Sequence, residues 1–401
     1  MSHELEAIPY EQALVPAGHP WARLPLVGGG VGLVGLLLLA AASRVGPTPL
    51  LAAWLVAFVY VLTIALGCLY FTLVHTAMSG SWGVVVRRLA ETAAATLPLF
   101  LLLFLPLALG LPRLYPWAEP QALTDALLRW KRPYLNQGFF LARAAAYLVV
   151  WSAVAAWFLR LSRRQDDRPD PALAARLRRW SGPLLVPVAL ANTFAAFDWL
   201  MSLDPRWYST IFGVYSFSGS LLAGFAFLAL AAVALRRSGI APGAVGIEHF
   251  HDLGKLLFAF TAFWAYIAFS QYFLIWYGNI PEETAWVRER MLGPWLWVSV
   301  VLALGHFALP FFFLLPRGVK RNAAALTAAA AWLLLMHLVD VVWLVVPSVP
   351  ARGPLFALAC AGALLAVAGA FLAVFGSLLV RHPLVPLGDP RLPESLAFEN
   401  V

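Results

Sequence analysis

What most constrains this chain is the recurrence of apolar stretches about 20 residues long, separated by short polar or proline-bearing joints. A helix of about 20 apolar residues crosses the roughly 30 Å hydrocarbon layer of a bilayer. Inside that layer each backbone N–H and C=O must find a partner within the protein, which the α-helix provides for its own segment. Ten stretches qualify: Leu24–Ala42, Leu50–Val74, Ala93–Leu111, Gly138–Leu161, Gly182–Met201, Thr210–Leu235, Asp252–Gly278, Leu292–Pro316, Asn322–Val346 and Pro354–Val380. The third has an alternative start as early as Val84. Many end in proline, tryptophan or tyrosine, as at Pro112/Tyr115/Trp117 and Trp276/Tyr277, where helix stops and interfacial anchors belong. Hydrophobic residues make up 62% of the 401 and charged residues 12%. A soluble domain has roughly 45–50% and about 25%, so a multidomain soluble enzyme is excluded. The expectation is an all-α integral membrane protein with about ten transmembrane helices. A polar tail would occupy 1–23, the membrane domain 24–380 and a second tail 381–401.

Lys and Arg set the expected orientation. With the N-terminus inside, eighteen of them fall on the cytoplasmic side, seven between Arg160 and Arg179, against nine outside; Arg143, within the fourth span, is counted on neither side. That asymmetry puts both termini in the cytoplasm. The basic residues flank spans and form no tract with interleaved aromatics, so nucleic acid is not an expected partner. The first 20 residues are acidic and polar and do not read as a cleavable signal peptide. Cys68 and Cys360 lie inside apolar runs without CxxC or Cys/His ligand spacing, and read as packing residues, with no metal site and no covalent cofactor. The longest soluble pieces, Pro112–Gln137 and Ser162–Ser181, are too short for a domain; the first is expected to hold a short interfacial helix near Leu123–Trp130.

Function must then sit among the spans or come from partners. An ionisable group in the bilayer costs at least a few kcal/mol and is a functional candidate by default. The candidates are Glu91, Arg143, Asp198, His306, His337 and Asp340, with His75, His251, Asp252 and Lys255 near span ends. In the seventh span Lys255, Tyr266, Ser270 and Tyr277 fall on one helix face with Asp252 on the same stripe. That broken polar track reads either as helix–helix hydrogen bonding with aromatic anchors or as a hydrated proton path. His337 and Asp340, three apart in the ninth span, share a face, and read either as a proton-handling pair or as a contact that holds a neighbouring helix. A lone histidine such as His306 is more often a packing residue. Glu91 follows Arg87 by four residues, an ordinary ion pair at a helix start, and Arg143 is expected to snorkel outward. Asp198, Asp204, Trp207 and Tyr208 combine carboxylates, aromatics and hydroxyls near one membrane boundary, as a quinone headgroup requires; the candidate quinone-binding residues are Trp199, Asp204, Tyr208, Gln271 and Tyr272, with Asp198 assigned to the proton path.

The segment FDWLMSLDPRWYSTIFGVY (Phe197–Tyr215) resembles the signature of the NrfD/polysulfide-reductase family of membrane subunits. SQYFLIWYGNIPEET (Ser270–Thr284) and HPLVPLGDPRLPESLAFEN (His382–Asn400) are narrower, and resemble the second NrfD-like subunit of bacterial alternative complex III, a quinol:cytochrome c (or high-potential iron–sulfur protein) oxidoreductase. The resemblance runs over essentially the whole chain. It implies two four-helix bundles, spans two to five and six to nine, flanked by the first and last helices. It implies a bacterial inner-membrane location and partners: an iron–sulfur subunit, haem c subunits, a sister NrfD-like subunit, small membrane subunits and lipid. Haem and clusters would belong to those partners, and the ligand to be expected is menaquinone or its quinol. It makes the sister subunit the better candidate for the quinol-oxidising site and leaves this chain a proton-conducting role, a second quinone site or scaffolding. Two other classes compete. A secondary transporter should show matching breaks in corresponding halves, whereas Pro98 and Pro106 interrupt the third span with no clear matching break elsewhere. A haem b anchor needs facing axial histidines, and His306 and His337 lie at different depths.

Overall fold

A computed structural model describes residues 8–400. Its ten long apolar helices are α1 Pro20–Ala41, α2 Pro47–Ala77, α3 Val84–Leu109, α4 Gln137–Asp167, α5 Pro171–Leu203, α6 Phe212–Ser238, α7 Ile247–Gly278, α8 Pro294–Leu314, α9 Ala323–Ser348 and α10 Pro354–Leu379. There is no strand among the described residues. Helix starts follow local chemistry. Proline occupies the first turn of several, where its missing N–H has no partner to lose; Asn136, Asp170 and Asn322 cap α4, α5 and α9 by accepting from first-turn N–H groups.

Two helices depart from regularity. α3 breaks into short turns around Pro98 and Pro106, because each proline removes a donor and crowds the preceding turn. α8 widens to a π-helical segment over Leu302–Ala308, and His306 lies on it. Such bulges recur at functional sites.

The spans form two bundles. In one, α2 packs on α3 and α5, and α4 on α3 and α5; in the other, α6 packs on α7 and α9, and α8 on both. α2 and α6 join the bundles. Their crossing is close because Gly67 and Gly224 face each other, and a Cβ on Gly67 would run into the Ser220 carbonyl. α1 lies against α10, which also covers α2, and there Gly35 meets the Ala366 backbone. Small residues allow such backbone approach where lipid offers no hydrophobic drive for helices to associate.

Ten crossings put both described ends on one face. The α4–α5 connection lies on that same face, so we call it the arginine-rich face. The 162–181 stretch expected to be a soluble piece is instead helix on both sides of a three-residue turn, Arg168–Asp170; Asp170-Pro171 caps and opens α5. The C-terminal stretch is built into this face. Leu384 N donates to Ala13 O at 2.8 Å, and Ser395 Oγ donates to Trp82 O at 2.9 Å. On the opposite face the segment after α3 carries a short helix, Ala126–Lys131, close to the expected one, and a second, Pro281–Met291, follows α7.

Candidate functional site

Four carboxylates are buried among the described residues: Glu91, Asp198, Asp252 and Asp340. Three of them have cations. Glu91 meets Arg87 at 2.9 Å and Arg88 at 3.1 Å. Those arginines reach on to Asp389 (2.6 Å) and Asp166 (2.7 Å), so the expected helix-start pair is one part of a buried network reaching the C-terminal stretch. Asp252 pairs with Lys255, which also donates to Asn400 Oδ1 at 2.8 Å. Asp198 accepts from Arg143 Nε and Nη2 at 2.8 and 2.9 Å and from the Tyr147 hydroxyl at 2.8 Å. Arg143 therefore does not snorkel outward. It lies about one turn inside α4, faces Asp198 on α5, and stacks its guanidinium 3.8 Å from the Tyr134 ring centre. Two-pronged pairing of this kind fits a planar guanidinium.

Asp340 differs. It is 1% exposed and forms no ion pair among the described residues. The Tyr215 hydroxyl of α6 donates to its Oδ1, and Trp264 Nε1 of α7 donates to its Oδ2 at 3.2 Å. His337 does not engage Asp340: its Nε2 lies 2.8 Å from Thr63 Oγ1 on α2, a polar contact between the bundles. His306 is fully buried with both ring nitrogens unpartnered, and its ring centre is 3.9 Å from that of Trp264. Trp264 thus touches both Asp340 and His306.

Beside this cluster lies a cavity of about 600 Å³ between α7, α8, α9 and the Pro281–Met291 helix. Tyr215, Trp264, Trp286, Phe307 and Trp343 wall it, and Gln271, 5% exposed with Oε1 unpartnered, supplies a polar atom. Exposed Tyr266, Phe269 and Tyr272 line its outward side. Two walls bonded to Asp340, Tyr215 and Trp264, are therefore also cavity walls. Trp286 is fixed from both sides, stacked on Trp207 at 4.1 Å and lying 3.6 Å from the Arg290 guanidinium. Arg290 is fully buried, and donates to the Trp286 and Leu344 carbonyls, both at 3.0 Å, and to the Trp343 carbonyl at 3.2 Å. Burial pushes its pKa down to about 9, which leaves it charged at neutral pH. Sequence reading counted Arg290 only among outer charges; the signal available was its place between Trp286 and Trp295 at a helix end.

The remaining candidates separate. Gln271 and Tyr272 belong to this cavity. Trp199 is core of the first bundle, against Phe58, Phe104 and Trp151. Tyr208 lines a groove of about 380 Å³ with Trp130 and Lys131, while Asp204 accepts from the Arg206 backbone N–H at 3.1 Å. The five residues expected around a quinone thus occupy different places. On α7, Lys255, Tyr266 and Tyr277 point outward and Ser270 is half-buried. The bundle-facing stripe is Trp264, Ile267, Gln271 and Ile275, and Tyr266 is about 200° around the helix from Trp264. The polar track is therefore on the outer face of the helix. His251 is buried near Asp252, and His75 accepts from Gly83 N at 3.1 Å with Nδ1 unpartnered.

Fold and site define a multi-pass α-helical membrane protein whose second bundle holds an uncompensated carboxylate beside an aromatic cavity. No family model matches the chain, and no curated protein matches it. Among the described residues no group of three or more His, Cys, Asp or Glu is placed to hold a metal ion.

Proposed function

We propose that this chain is a membrane subunit of a quinol-oxidising complex of the alternative complex III type, in a bacterial inner membrane with both termini cytoplasmic. In this reading the second-bundle cavity takes a quinol ring and Asp340 exchanges one of its protons. One observation carries the reading: among the described residues the single buried carboxylate without an ion pair stands one hydrogen bond behind the wall of an aromatic cavity. Unpaired charge is costly to bury, so a group in that position is suited to gain and lose a proton, whereas the paired Asp198, Glu91 and Asp252 are suited to hold charge in place. The cavity volume falls in the range of small-ligand sites, roughly 300–1,000 Å³. Flat walls suit a ring, and the Gln271 carbonyl oxygen can accept from a quinol hydroxyl.

Oxidation of a quinol to a quinone releases two protons and two electrons. Asp340 and the nearby unpartnered His306 offer places for protons. Electrons would pass to iron–sulfur and haem c centres of partner subunits on the face that carries the Pro281–Met291 helix, and a sister subunit of the same family would lie beside this chain. The transporter alternative draws no support from the helices: α3 is broken by proline and α8 by a π segment, at non-corresponding positions of the two bundles.

A photoactivatable azido-quinone applied to the assembled complex tests the site. Label is expected on the segments around Gln271–Tyr272 and Trp286, and excess quinol should suppress it. Label confined to the Tyr208 groove, or unaffected by quinol, would contradict the assignment.

A further inference from the structure

A second cavity, of about 200 Å³, opens on the arginine-rich face where the end of α2, the start of α3, the α4–α5 hairpin and the C-terminal stretch meet. Its polar lining is Thr76, Arg87, Gln165, Arg178, Asp389 and Arg391. Three of these are arginines, and the one carboxylate is already engaged: Asp389 Oδ2 holds Arg87 Nη2 at 2.6 Å, and its Oδ1 accepts the Arg391 backbone N–H at 2.9 Å. Gln165 is 2% exposed, and its Nε2 donor has no partner; the Thr76 hydroxyl is likewise buried and unpartnered. Buried donors of this kind are uncommon in folded proteins. Donors and positive charge therefore converge on one small space, as an anion requires.

Depth places the cavity at the membrane boundary. Arg178 lies four residues before the apolar run that begins at Gly182, and half-exposed Trp180 stands between them, as aromatic residues do at headgroup level. Arginine meets phosphate oxygens in two-pronged, charge-assisted bonds. Basic pockets between helices at this level bind anionic lipid headgroups.

We infer that this cavity binds a phosphate group, held by Arg178 and Arg391 with Gln165 Nε2 and Thr76 Oγ1 completing its hydrogen bonds. A phospholipid headgroup and free phosphate share that chemistry, and binding would pin the C-terminal stretch to the helix ends.

The test uses the full chain, purified and delipidated in detergent, with phosphatidylglycerol or inorganic phosphate added separately. Bound lipid is read by native mass spectrometry and stabilisation by the melting temperature. Arg178 and Arg391 take no part in the Arg87–Glu91 network, so Arg178→Ala, Arg391→Ala and the double variant should melt as wild type without ligand. We expect the double variant to bind at least tenfold more weakly. Variant-sensitive binding of phosphatidylglycerol identifies a lipid headgroup; variant-sensitive binding of inorganic phosphate alone identifies the free anion. A second arm needs no variant: the wild-type chain should retain phosphatidylglycerol in preference to diacylglycerol, which lacks phosphate, or be stabilised by inorganic phosphate. Equal retention of the two lipids with no response to phosphate, or equal binding by wild type and double variant, overturns the inference.

Discussion

At the scale of single residues, neighbours decide what each buried carboxylate can do. Asp198 and Arg143 are both largely out of water, with side chains 0% and 10% exposed. Removing one partner of a buried pair leaves an uncompensated charge, at a cost of about 3–5 kcal/mol, whereas replacing both with apolar groups of similar volume is often near neutral. Arg143→Met should therefore lower the melting temperature of the purified protein sharply, and Arg143→Met/Asp198→Leu should recover most of the loss. A double variant no more stable than the single would show that the pair is not the structural element described. Sequence flagged Asp198 and Asp340 alike as carboxylates within the spans. What separates them, the reach of Arg143 across to α5 and the lack of an ion pair to Asp340 among the described residues, is a relation between helices that spacing along one helix does not contain.

At the scale of elements, the ten spans were legible because a bilayer demands one pattern, a long apolar run, and the chain supplies it ten times. Less legible was which side of each helix faces inward. On α7 the apolar and aromatic residues run all round, so no polar–apolar contrast marks the buried stripe, and Tyr266 and Gln271 look alike as polar candidates. The C-terminal stretch was legible only as polar, yet it docks through backbone and side-chain bonds to α3 and α7. His382, just beyond α10, reports on that docking. Burial, with Arg163 and Arg88 nearby, pushes its pKa down to about 4, below the ordinary value near 6.5. Between those values the undocked form binds the proton more readily, so docking is at full strength above about pH 6.5 and weakens as pH falls toward 4. The protection of amides in 383–396, taken relative to their intrinsic exchange rate at each pH, should accordingly fall between pH 6.5 and 4.5 in the wild type and change less in His382→Gln. Identical pH profiles for the two would remove His382 from that role.

At the scale of the whole molecule, two bundles of the same build have different interiors. The first closes around aromatic packing and an arginine–aspartate pair. The second keeps an aromatic cavity, a π segment and, among the described residues, an unpartnered histidine and a carboxylate without an ion pair. In the proposed function the second bundle is the one that takes ligand and proton. The resemblance over Phe197–Tyr215 and Ser270–Thr284 spans parts of both bundles, and it indicated a quinone-linked role without indicating which bundle would hold the cavity. The central claim is that Asp340 carries a proton in quinol turnover. Asp340→Asn keeps the side chain's size and its carbonyl acceptor while removing the exchangeable carboxyl proton, so assembly should survive. The deciding measurement is quinol-driven electron transfer and proton release by the assembled complex in liposomes, wild type against Asp340→Asn. The account predicts an assembled variant with at least tenfold lower turnover or a reduced proton yield per quinol; wild-type turnover with an unchanged proton yield would contradict it.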